Sequence, residues 1–315
     1  MLSVDAKLIM TVEQMKDRDV WRQTRNLGIG GSDAGTIMGM NPWKSKYQLW
    51  LEKTGQAEPE DISGKESVYW GTVLEAPVAD RFAELTGKKI RRAGMMQNIK
   101  DPWMLANVDR LIVGEKAGLE CKTTNAFSVK DWKEDNLPDS YYWQCQHYMM
   151  TTGLPVWYIA VLIGGNSFDY KAVPRHDDDI KALYEAESEF WLKNVKEGIM
   201  PDIDGSDSTA KAIEKQFAGN KSDPIELPSE AADILQLLHN FKQQEKDVKA
   251  AIQEQENKLC AMMGDYEIGF IGDQKITWKW QDGRITVDSK KLKKDFPEIY
   301  AQVTKQGKPS RRFRA

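Results

Sequence analysis

Three residues have side chains whose types and spacing favour metal-assisted chemistry: Asp109, Glu120 and Lys122. Glu120 and Lys122 are two positions apart, so in a strand they share one face, and Asp109 can lie beside them on a neighbouring strand. Two carboxylates so close repel each other unless a divalent cation lies between them, and their oxygens suit Mg²⁺ or Mn²⁺. A lysine beside a metal can hold or activate a water for in-line attack on phosphorus. An E-x-K pair on an exposed strand is common, so this interpretation depends on the surrounding motifs.

Two strands and a turn must position these residues. Residues 105–113 alternate and are rich in branched side chains, residues 114–118 contain two glycines, and residues 119–123 resume an extended pattern. The stretch therefore predicts one long strand, a short turn and a second strand. Cys121 falls on the face opposite to Glu120.

Helices and further strands are predicted around this hairpin. A helix over Val68–Thr86 carries Glu75 beside its apolar stripe, where the carboxylate either reaches into a site or is solvated, and Pro77 indicates a kink or a break. A helix over Pro138–Thr152 places Gln144 and Tyr148 four apart on one face. The remaining predicted elements are a buried strand at 154–163, its hairpin partner at 168–173 and a helix at 178–197.

The N-terminal region contains a candidate anion site. A helix is predicted over Met10–Asn26, with Thr11 as its N-cap and Gln14 three residues later. Glycines at positions 28, 30 and 31 follow, and Ser32 or Asp33 can cap a short helix over 34–38. Backbone donors at such a start favour an anion, although most glycine turns before helices bind nothing. Ser45 is predicted to cap the next helix.

The composition is that of a globular protein. The chain has 315 residues, of which 41% are hydrophobic and 29% charged, and a net charge of −4. This charge argues against a protein that coats nucleic acid, but it permits an enzyme with a local basic groove. The three cysteines, Cys121, Cys145 and Cys260, form no metal spacing and no disulfide framework, which fits a reducing cytoplasm. We find no apolar run long enough for a membrane span and no signal peptide.

The chain is predicted to consist of a core at residues 1–204, a linker at 205–228 and a C-terminal region at 229–315. The linker is inferred from its proline, glycine and serine residues. A long helix over Ser229–Met263, with an interrupted apolar stripe, predicts one leg of a helical hairpin or a coiled-coil contact. Strands are predicted at 267–280 and 284–287, with a turn at Asp282–Gly283. From residue 286 on, nine basic residues face three acidic ones, a net +6, which is either a solvated tail or a DNA contact.

Four motifs in order carry a resemblance to a known family. They are R-x-x-G-x-x-x-S-D from Arg25, W-G-x-x-x-E ending at Glu75, D-x10-E-x-K from Asp109 and Q-x-x-x-Y from Gln144. The order resembles the YqaJ-type viral recombinase family, the phage lambda exonuclease group of the PD-(D/E)xK nuclease superfamily. The match covers roughly residues 20–200, and the closing K-P-S-R-R-F is similar to the extension of many YqaJ-type proteins.

The resemblance implies roles for single residues. Asp109 and Glu120 would bind two catalytic Mg²⁺ or Mn²⁺ ions, helped by the backbone carbonyl of Cys121. Lys122 would position the attacking water, and Glu75 would hold the second metal. The residues implied for DNA binding are Arg25 and Ser32 at the 5′-phosphate, Gln144 and Tyr148 on the nearby helix, and Asn107, which stands where the phage lambda member has a serine. Val108 replaces the usual proline before the aspartate.

The resemblance also implies a fold and an activity. The fold would be α/β, a PD-(D/E)xK restriction-endonuclease-like core with a mixed sheet flanked by helices and a C-terminal helix–strand extension. The activity would be magnesium-dependent 5′-to-3′ digestion of one strand of double-stranded DNA from an end, in the cytoplasm of a bacterial host. The partners would be a phage single-strand annealing protein and further copies in a ring-shaped trimer. The alternatives are another RecB-like nuclease, an endonuclease or single-strand exonuclease, and a non-catalytic DNA-binding relative.

Overall fold

The computed structural model describes residues 5–62, 64–134, 136–219, 221–307 and 311–315. The chain divides into two compact units, Met1–Ala218 and Gly219–Ala315. Two stretches considered in the sequence are only partly covered. The first four residues of the N-terminal stretch and Lys308–Ser310 of the closing motif lie outside the described residues.

The first unit contains nine strands and seven α-helices among the described residues. In chain order they are β1 (Ala6–Met10), α1 (Arg18–Arg25), β2 (Ile29–Gly30), α2 (Gly31–Ile37), α3 (Lys46–Lys53), α4 (Glu66–Thr86), β3 (Ile90–Arg92), β4 (Met95–Asn98), β5 (Met104–Asn107), β6 (Arg110–Ile112), β7 (Ala117–Thr124), α5 (Asp139–Thr152), β8 (Val156–Ile163), β9 (Ser167–Pro174), α6 (Asp177–Glu189) and α7 (Asp207–Gln216). Helix α6 continues as a π-helical segment over Phe190–Lys196.

The strands form two mixed sheets. The five-stranded sheet has the order β3-β6-β7-β8-β9, in which only the β7–β8 pair is parallel. The four-stranded sheet has the order β1-β4-β5-β2, in which only the β2–β5 pair is parallel. The predicted α/β class, a mixed sheet flanked by helices, is confirmed.

Helices cover both faces of the five-stranded sheet. Successive side chains of β8 point to opposite faces, and each set packs against a different helix. Trp157 and Ile159 pack into a core cluster with Met149 of α5. Ala160, on the opposite face, packs with Phe82 of α4. Gly118 of β7 lies on the α5 side, where a Cβ atom would meet the Trp157 ring at 2.4 Å, so this close approach requires glycine. Glu120 is level with Ile159 and therefore also faces α5.

Several predicted elements are confirmed. The β6–β7 hairpin forms, with Arg110 opposite Leu119. Helix α5 ends at Gly153, whose φ of 71° is the left-handed conformation that glycine favours. The oxygen of Ser45 accepts a hydrogen bond from the Gln48 amide and caps α3. Helix α4 is continuous through Pro77, so a break there was wrong.

The single strand predicted over 105–113 was wrong. It is two strands that belong to different sheets, β5 in the four-stranded sheet and β6 in the five-stranded one. The chain crosses between the sheets at Val108 and Asp109. The Val108 amide donates to the Gly94 carbonyl (3.2 Å), and the Asp109 carboxylate accepts from the Cys121 amide (2.9 Å). Periodicity could not show this crossing because both strands are apolar.

The helix predicted over Met10–Asn26 begins later than expected. Met10 is buried and ends β1, which pairs with β4. Thr11 and Gln14 do exchange hydrogen bonds, but they close a short 3₁₀ turn over Gln14–Lys16. Asp17 caps α1 by accepting from two backbone amides.

The predicted linker at 205–228 contains a helix that belongs to the first unit. Ser206 caps α7, the Ser45 amide donates to the Ser208 hydroxyl at 3.0 Å, and the Tyr47 hydroxyl bonds to Gln216. These contacts attach α7 to α3. The capping serine and the apolar Ala212 were the local signals that composition obscured.

The second unit consists of α8 (Glu230–Met263), β10 (Ile268–Ile271), β11 (Gln274–Thr277), α9 (Ser289–Asp295) and α10 (Pro297–Val303). The long helix predicted here is confirmed. The single strand predicted over 267–280 was wrong, since that stretch holds both β10 and β11. They turn at Gly272, whose φ is 57°, and not at Asp282–Gly283 as predicted. The strand predicted at 284–287 was wrong, since the chain there has no regular structure.

Candidate active site

Asp109, Glu120 and Lys122 lie together on the five-stranded sheet. Asp109 immediately precedes β6, and its Oδ2 accepts a hydrogen bond from the amide of Cys121 on β7. Glu120 and Lys122 share the face of β7 that is turned toward α5, and their side chains pair at 2.6 Å. The sequence prediction that these three side chains converge is thus met by the geometry.

The electrostatics of this group are those of crowded carboxylates. Burial, together with the neighbouring charges of Glu120 and Glu75, raises the pKa of Asp109 well above its ordinary value. Burial opposes the charged form of Lys122, but Glu120 outweighs it, so the pKa of the Lys122 ammonium is raised and the group is charged. The ammonium also lies 4.9 Å from the centre of the Tyr141 ring.

The two carboxylates fit a hard divalent cation. Oε2 of Glu120 is buried and has no hydrogen-bond partner, and it belongs to a carboxylate that Lys122 and Gln144 contact only through Oε1. A carboxylate oxygen left in this state is a cation ligand of the type that Mg²⁺ prefers. In the described ranges, no group of three or more histidine, cysteine, aspartate or glutamate side chains is arranged to hold a metal. The site as built therefore offers two carboxylates.

Glu75 of α4 stands next to this group but is engaged elsewhere. Its carboxylate accepts from Arg110 at 2.7 Å, and Arg92 lies 4.0 Å away. The same Arg110 nitrogen also donates to the backbone carbonyl of Asp109 at 2.8 Å. Arg110 was not singled out in the sequence, where it is one of many strand cations. The assignment of Glu75 to a second metal stays a prediction.

A cavity of about 200 Å³ adjoins the carboxylates and brings most of the predicted residues together. Its walls come from α1, β2, α2, β4, β5, β7 and α5 and from the segment before β6. Asp109, Glu120 and Arg25 all line it, while Cys121, Lys122 and Glu75 do not. The full lining is Trp21, Arg25, Gly30, Gly31, Ser32, Met95, Leu105, Asn107, Asp109, Glu120, Gln144 and Tyr148.

Arg25 is fixed in the cavity wall by a buried carboxylate. Its guanidinium donates to both oxygens of Asp33, at 2.9 and 3.0 Å, and to the Ser32 hydroxyl at 2.7 Å. This fork fits only because Gly30 has no side chain: a Cβ there would lie 2.1 Å from the Arg25 Nη1. The sequence predicted Arg25 and Ser32, and it gave Asp33 only a capping role.

Lys53 of α3 helps to hold Arg25 and Asp33 in place. Its ammonium lies 3.2 Å from Asp33 and donates to the carbonyls of Arg25 and Gly28. Burial lowers the pKa of Lys53 to about 8, although Asp33 opposes the shift. Burial alone would raise the pKa of Asp33, but the Arg25 and Lys53 charges lower it well below the ordinary range. Lys53 was missed because a lysine near a helix end has no distinguishing spacing.

Gln144 and Tyr148 of α5 form the back of the cavity. The Gln144 amide donates to Glu120 at 2.7 Å and to the Tyr148 hydroxyl at 2.8 Å. Burial raises the pKa of Tyr148, so its hydroxyl keeps its proton. Asn107 has a buried Oδ1 without a hydrogen-bond partner. Gly31 lets α2 approach, since a Cβ there would lie 2.6 Å from Tyr148.

A buried contact between a histidine and a glutamate, next to Leu105 of the cavity wall, was not predicted. His147 of α5 lies 2.8 Å from Glu187 of α6, and its other ring nitrogen lies 2.9 Å from the Leu105 carbonyl. Burial opposes the charged imidazole, but Glu187 outweighs it and raises the pKa of His147. The pair fixes α5 between β5 and α6.

None of the helices described is long and apolar enough to cross a membrane. The residues of the basic C-terminal end that the structure describes are largely exposed.

The chain is similar to known proteins in sequence and in structure. The model of the YqaJ-like viral recombinase domain matches residues 20–155. A protein named YqaJ from Bacillus subtilis (strain 168) is 40% identical over 311 residues, which cover 97% of this chain and 96% of that protein. The crystal structure of an alkaline exonuclease from Laribacter hongkongensis has a TM-score of 0.48 at 18% identity, covering 57% of this chain and 93% of its own. A phage-related exonuclease from Haemophilus somnus has a TM-score of 0.41 at 14% identity, covering 57% of this chain and 100% of its own.

Proposed function

The chain belongs to the YqaJ-like viral recombinase family, and we propose that it is a phage-type exonuclease that digests one strand of double-stranded DNA from its 5′ end. One observation carries this proposal. A single cavity is lined both by the carboxylates of Asp109 and Glu120 and by the fixed guanidinium of Arg25. Such a cavity suits a terminal nucleotide whose phosphates must be bound at one side and cut at another.

Arg25 and Ser32 are the receptor for the terminal 5′-phosphate. A terminal phosphate carries more charge and more free oxygens than a bridging diester, so an arginine fork beside a hydroxyl prefers it. Asp33 and Lys53 hold the fork in place. Gln144 and Asn107 line the same cavity and would lie near this phosphate.

Asp109 and Glu120 would hold divalent cations, Mg²⁺ or Mn²⁺, with the backbone carbonyl of Cys121, and Glu75 would contribute once it leaves Arg110. The chemistry supplied there would be Lewis acidity toward the scissile phosphate and toward a water. The Lys122 ammonium lies against Glu120, so it can hold the attacking water in line and stabilise the charge that develops. Gln144 lines the same cavity as Arg25 and donates a hydrogen bond to Glu120, so it connects the phosphate receptor to the carboxylates.

Repeated cutting follows from the same geometry. Each hydrolysis leaves a new 5′-phosphate on the shortened strand, and the Arg25 receptor binds it and draws the duplex forward. We further propose that the protein acts as a ring-shaped trimer and feeds single strands to a phage annealing protein. Both rest on the family resemblance.

The test is digestion of three duplex substrates by the purified protein: linear with 5′-phosphates, linear with 5′-hydroxyls and covalently closed circular. The proposal predicts rapid mononucleotide release from the first, slower release from the second, none from the third, and none from any of them in EDTA. Cutting of the circle would assign an endonuclease. A single-stranded linear DNA, digested in parallel, separates the remaining alternative: faster digestion of this DNA than of the duplexes would assign another RecB-like nuclease. Binding without any cutting in Mg²⁺ or Mn²⁺ would assign a non-catalytic relative.

A further inference from the structure

Helix α8 carries a stripe of side chains at alternating spacings of four and three residues. The nine positions are Ile234, Leu238, Phe241, Glu245, Val248, Ile252, Gln255, Leu259 and Met262. Seven of the nine are apolar. In the middle of the helix they face solvent: Phe241 is 61% exposed, Val248 57% and Ile252 53%. Within the described residues of the second unit, nothing covers these three side chains.

The spacing is that of a coiled-coil seam. A strict 3.5-residue repeat keeps a stripe facing one partner helix when the two helices supercoil, whereas a helix on a globular core follows a 3.6-residue repeat. The repeat holds over four heptads of a 34-residue helix, a length of about 50 Å. Apolar side chains exposed over such a length are unfavourable in water, so the stripe requires a partner helix.

We propose that α8 pairs antiparallel with α8 of a second copy of this chain. The two polar positions of the stripe select this arrangement. When Val248 lies beside Ile252 of the second copy, Glu245 falls beside Gln255 of that copy, at both ends of the symmetric contact. Each carboxylate then meets an amide that can donate to it. The remaining layers of the contact pair two apolar side chains: Phe241 lies beside Leu259, and Leu238 lies beside Met262.

A parallel pair does not achieve this match. In register, it would place Glu245 against Glu245 of the second copy inside the seam, and two like charges in that position repel strongly. The antiparallel pair also places Lys242 and Glu256 of opposite copies on the same flank, where their charges attract. A single polar layer is known to set the register and orientation of coiled coils.

The two ends of α8 also favour the antiparallel pair. Near its C-terminal end, α8 and the β10–β11 hairpin enclose an apolar groove of about 240 Å³ that is lined by Met262, Met263 and Phe270 among others. At the N-terminal end, Leu235 and Leu237 are 41% and 53% exposed beside the stripe. The antiparallel register brings the leucine-rich end of one copy against the groove of the other, and a parallel pair separates them.

The experiment measures the mass of the full-length protein in solution by light scattering over a concentration series. Val248→Asp places a carboxylate in the centre of the seam and should halve the particle mass, from a dimer to a monomer or, with the proposed trimer, from a pair of trimers to a single one. Ala250→Asp adds the same charge two residues later on the opposite side of the helix and should keep the wild-type mass. Circular dichroism establishes that both variants keep their helix content. Equal masses for wild type and Val248→Asp would overturn the proposal, and so would a heterologous partner that must be added before the stripe is covered.

Orientation is tested by oxidative cross-linking of cysteine variants in a Cys260→Ser background. Phe241→Cys protein mixed with Leu259→Cys protein should give a cross-link between the two different chains, identified by mass spectrometry. Phe241→Cys protein alone should give none through this position. A dominant cross-link between two copies of Cys at position 241 would show a parallel pair and contradict the antiparallel register. This inference does not rest on the proposed nuclease activity.

Discussion

For single residues, the crowding of Asp109 with Glu120 and Glu75 is expected to destabilise the folded protein unless a divalent cation binds there. The pKa of Asp109 is raised by burial and by the Glu120 charge. The folded state therefore binds its proton more tightly than the unfolded state, and stability in EDTA should fall as the pH rises above the ordinary aspartate value. At neutral pH, the binding of a proton or of a divalent cation is therefore expected to stabilise the folded site.

The first prediction follows from this strain. Asp109→Asn keeps an acceptor for the Cys121 amide but removes a charge, so it should stabilise the metal-free protein at neutral pH by about 1–2 kcal/mol. Mg²⁺ should raise the melting temperature of the wild type and leave that of the variant unchanged. Asp80→Asn, an exposed aspartate on α4, is the control. Equal responses to Mg²⁺ in wild type and Asp109→Asn would show that Asp109 holds no cation.

The second prediction concerns cleavage itself. Asp109→Ala, Glu120→Ala and Lys122→Ala should each reduce the nuclease rate by at least about a hundredfold, since each removes a group that acts on the scissile phosphate. DNA binding, measured by fluorescence anisotropy in Ca²⁺, should survive. Lys116→Ala, in the turn of the same hairpin, is the matched control. Wild-type turnover in any of the three, with a contaminating nuclease excluded, would remove that residue from the mechanism.

Among the elements of the first unit, the sequence predicted most helices and the β6–β7 and β8–β9 hairpins, because each has a local signal, but not the β4–β5 hairpin. Gly153 ends α5, Ser45 caps α3, and a continuous apolar run forms the buried strand β8. It did not predict that residues 105–113 split between two sheets. That crossing depends on partners distant in sequence, Gly94 and Cys121, and no periodicity encodes it.

A third prediction tests the packing of β7 on its neighbours. Gly118→Ala puts a methyl group 2.4 Å from the Trp157 ring, which the close-packed core cannot accept without moving. We expect a loss of about 1–3 kcal/mol in the free energy of unfolding, measured by urea denaturation. Gly205→Ala, with no heavy atom within 4 Å of the new Cβ, should change it little. An unchanged stability in Gly118→Ala would mean that β7 and β8 pack more loosely than the structure shows.

At the scale of the whole molecule, the motifs located the site more completely than they located its support. Asp109 and Glu120 were identified by spacing, and Arg25, Ser32 and Gln144 by the family resemblance. The fold brings all five to one cavity. The residues that hold them were missed or undervalued, since Lys53, Arg110 and His147 act through single contacts that tertiary structure creates. Their proposed roles in DNA digestion stay predictions.

A fourth prediction concerns the basic end of the second unit. If the net +6 from residue 286 on binds DNA phosphates, deletion of residues 286–315 should weaken DNA binding. It should also reduce the salt slope by about 0.9 log unit per log salt for each phosphate that the shortened protein no longer neutralises. Binding measured from low to high KCl gives the slope. An unchanged slope, with only stability or assembly affected, would make the segment structural.

One cavity is proposed to join a 5′-phosphate receptor to the carboxylates of Asp109 and Glu120. Initial digestion rates on two kinds of DNA end test this arrangement. Arg25→Ala removes a charge-assisted contact of about 1.5–3 kcal/mol, so it should slow digestion of 5′-phosphorylated duplex by about tenfold to hundredfold and that of 5′-hydroxyl duplex much less. Arg22→Ala, one turn earlier on α1 and half exposed, should leave both rates unchanged. If Arg25→Ala slows both ends equally, or neither, Arg25 is not the phosphate receptor and the account of end-directed digestion is contradicted.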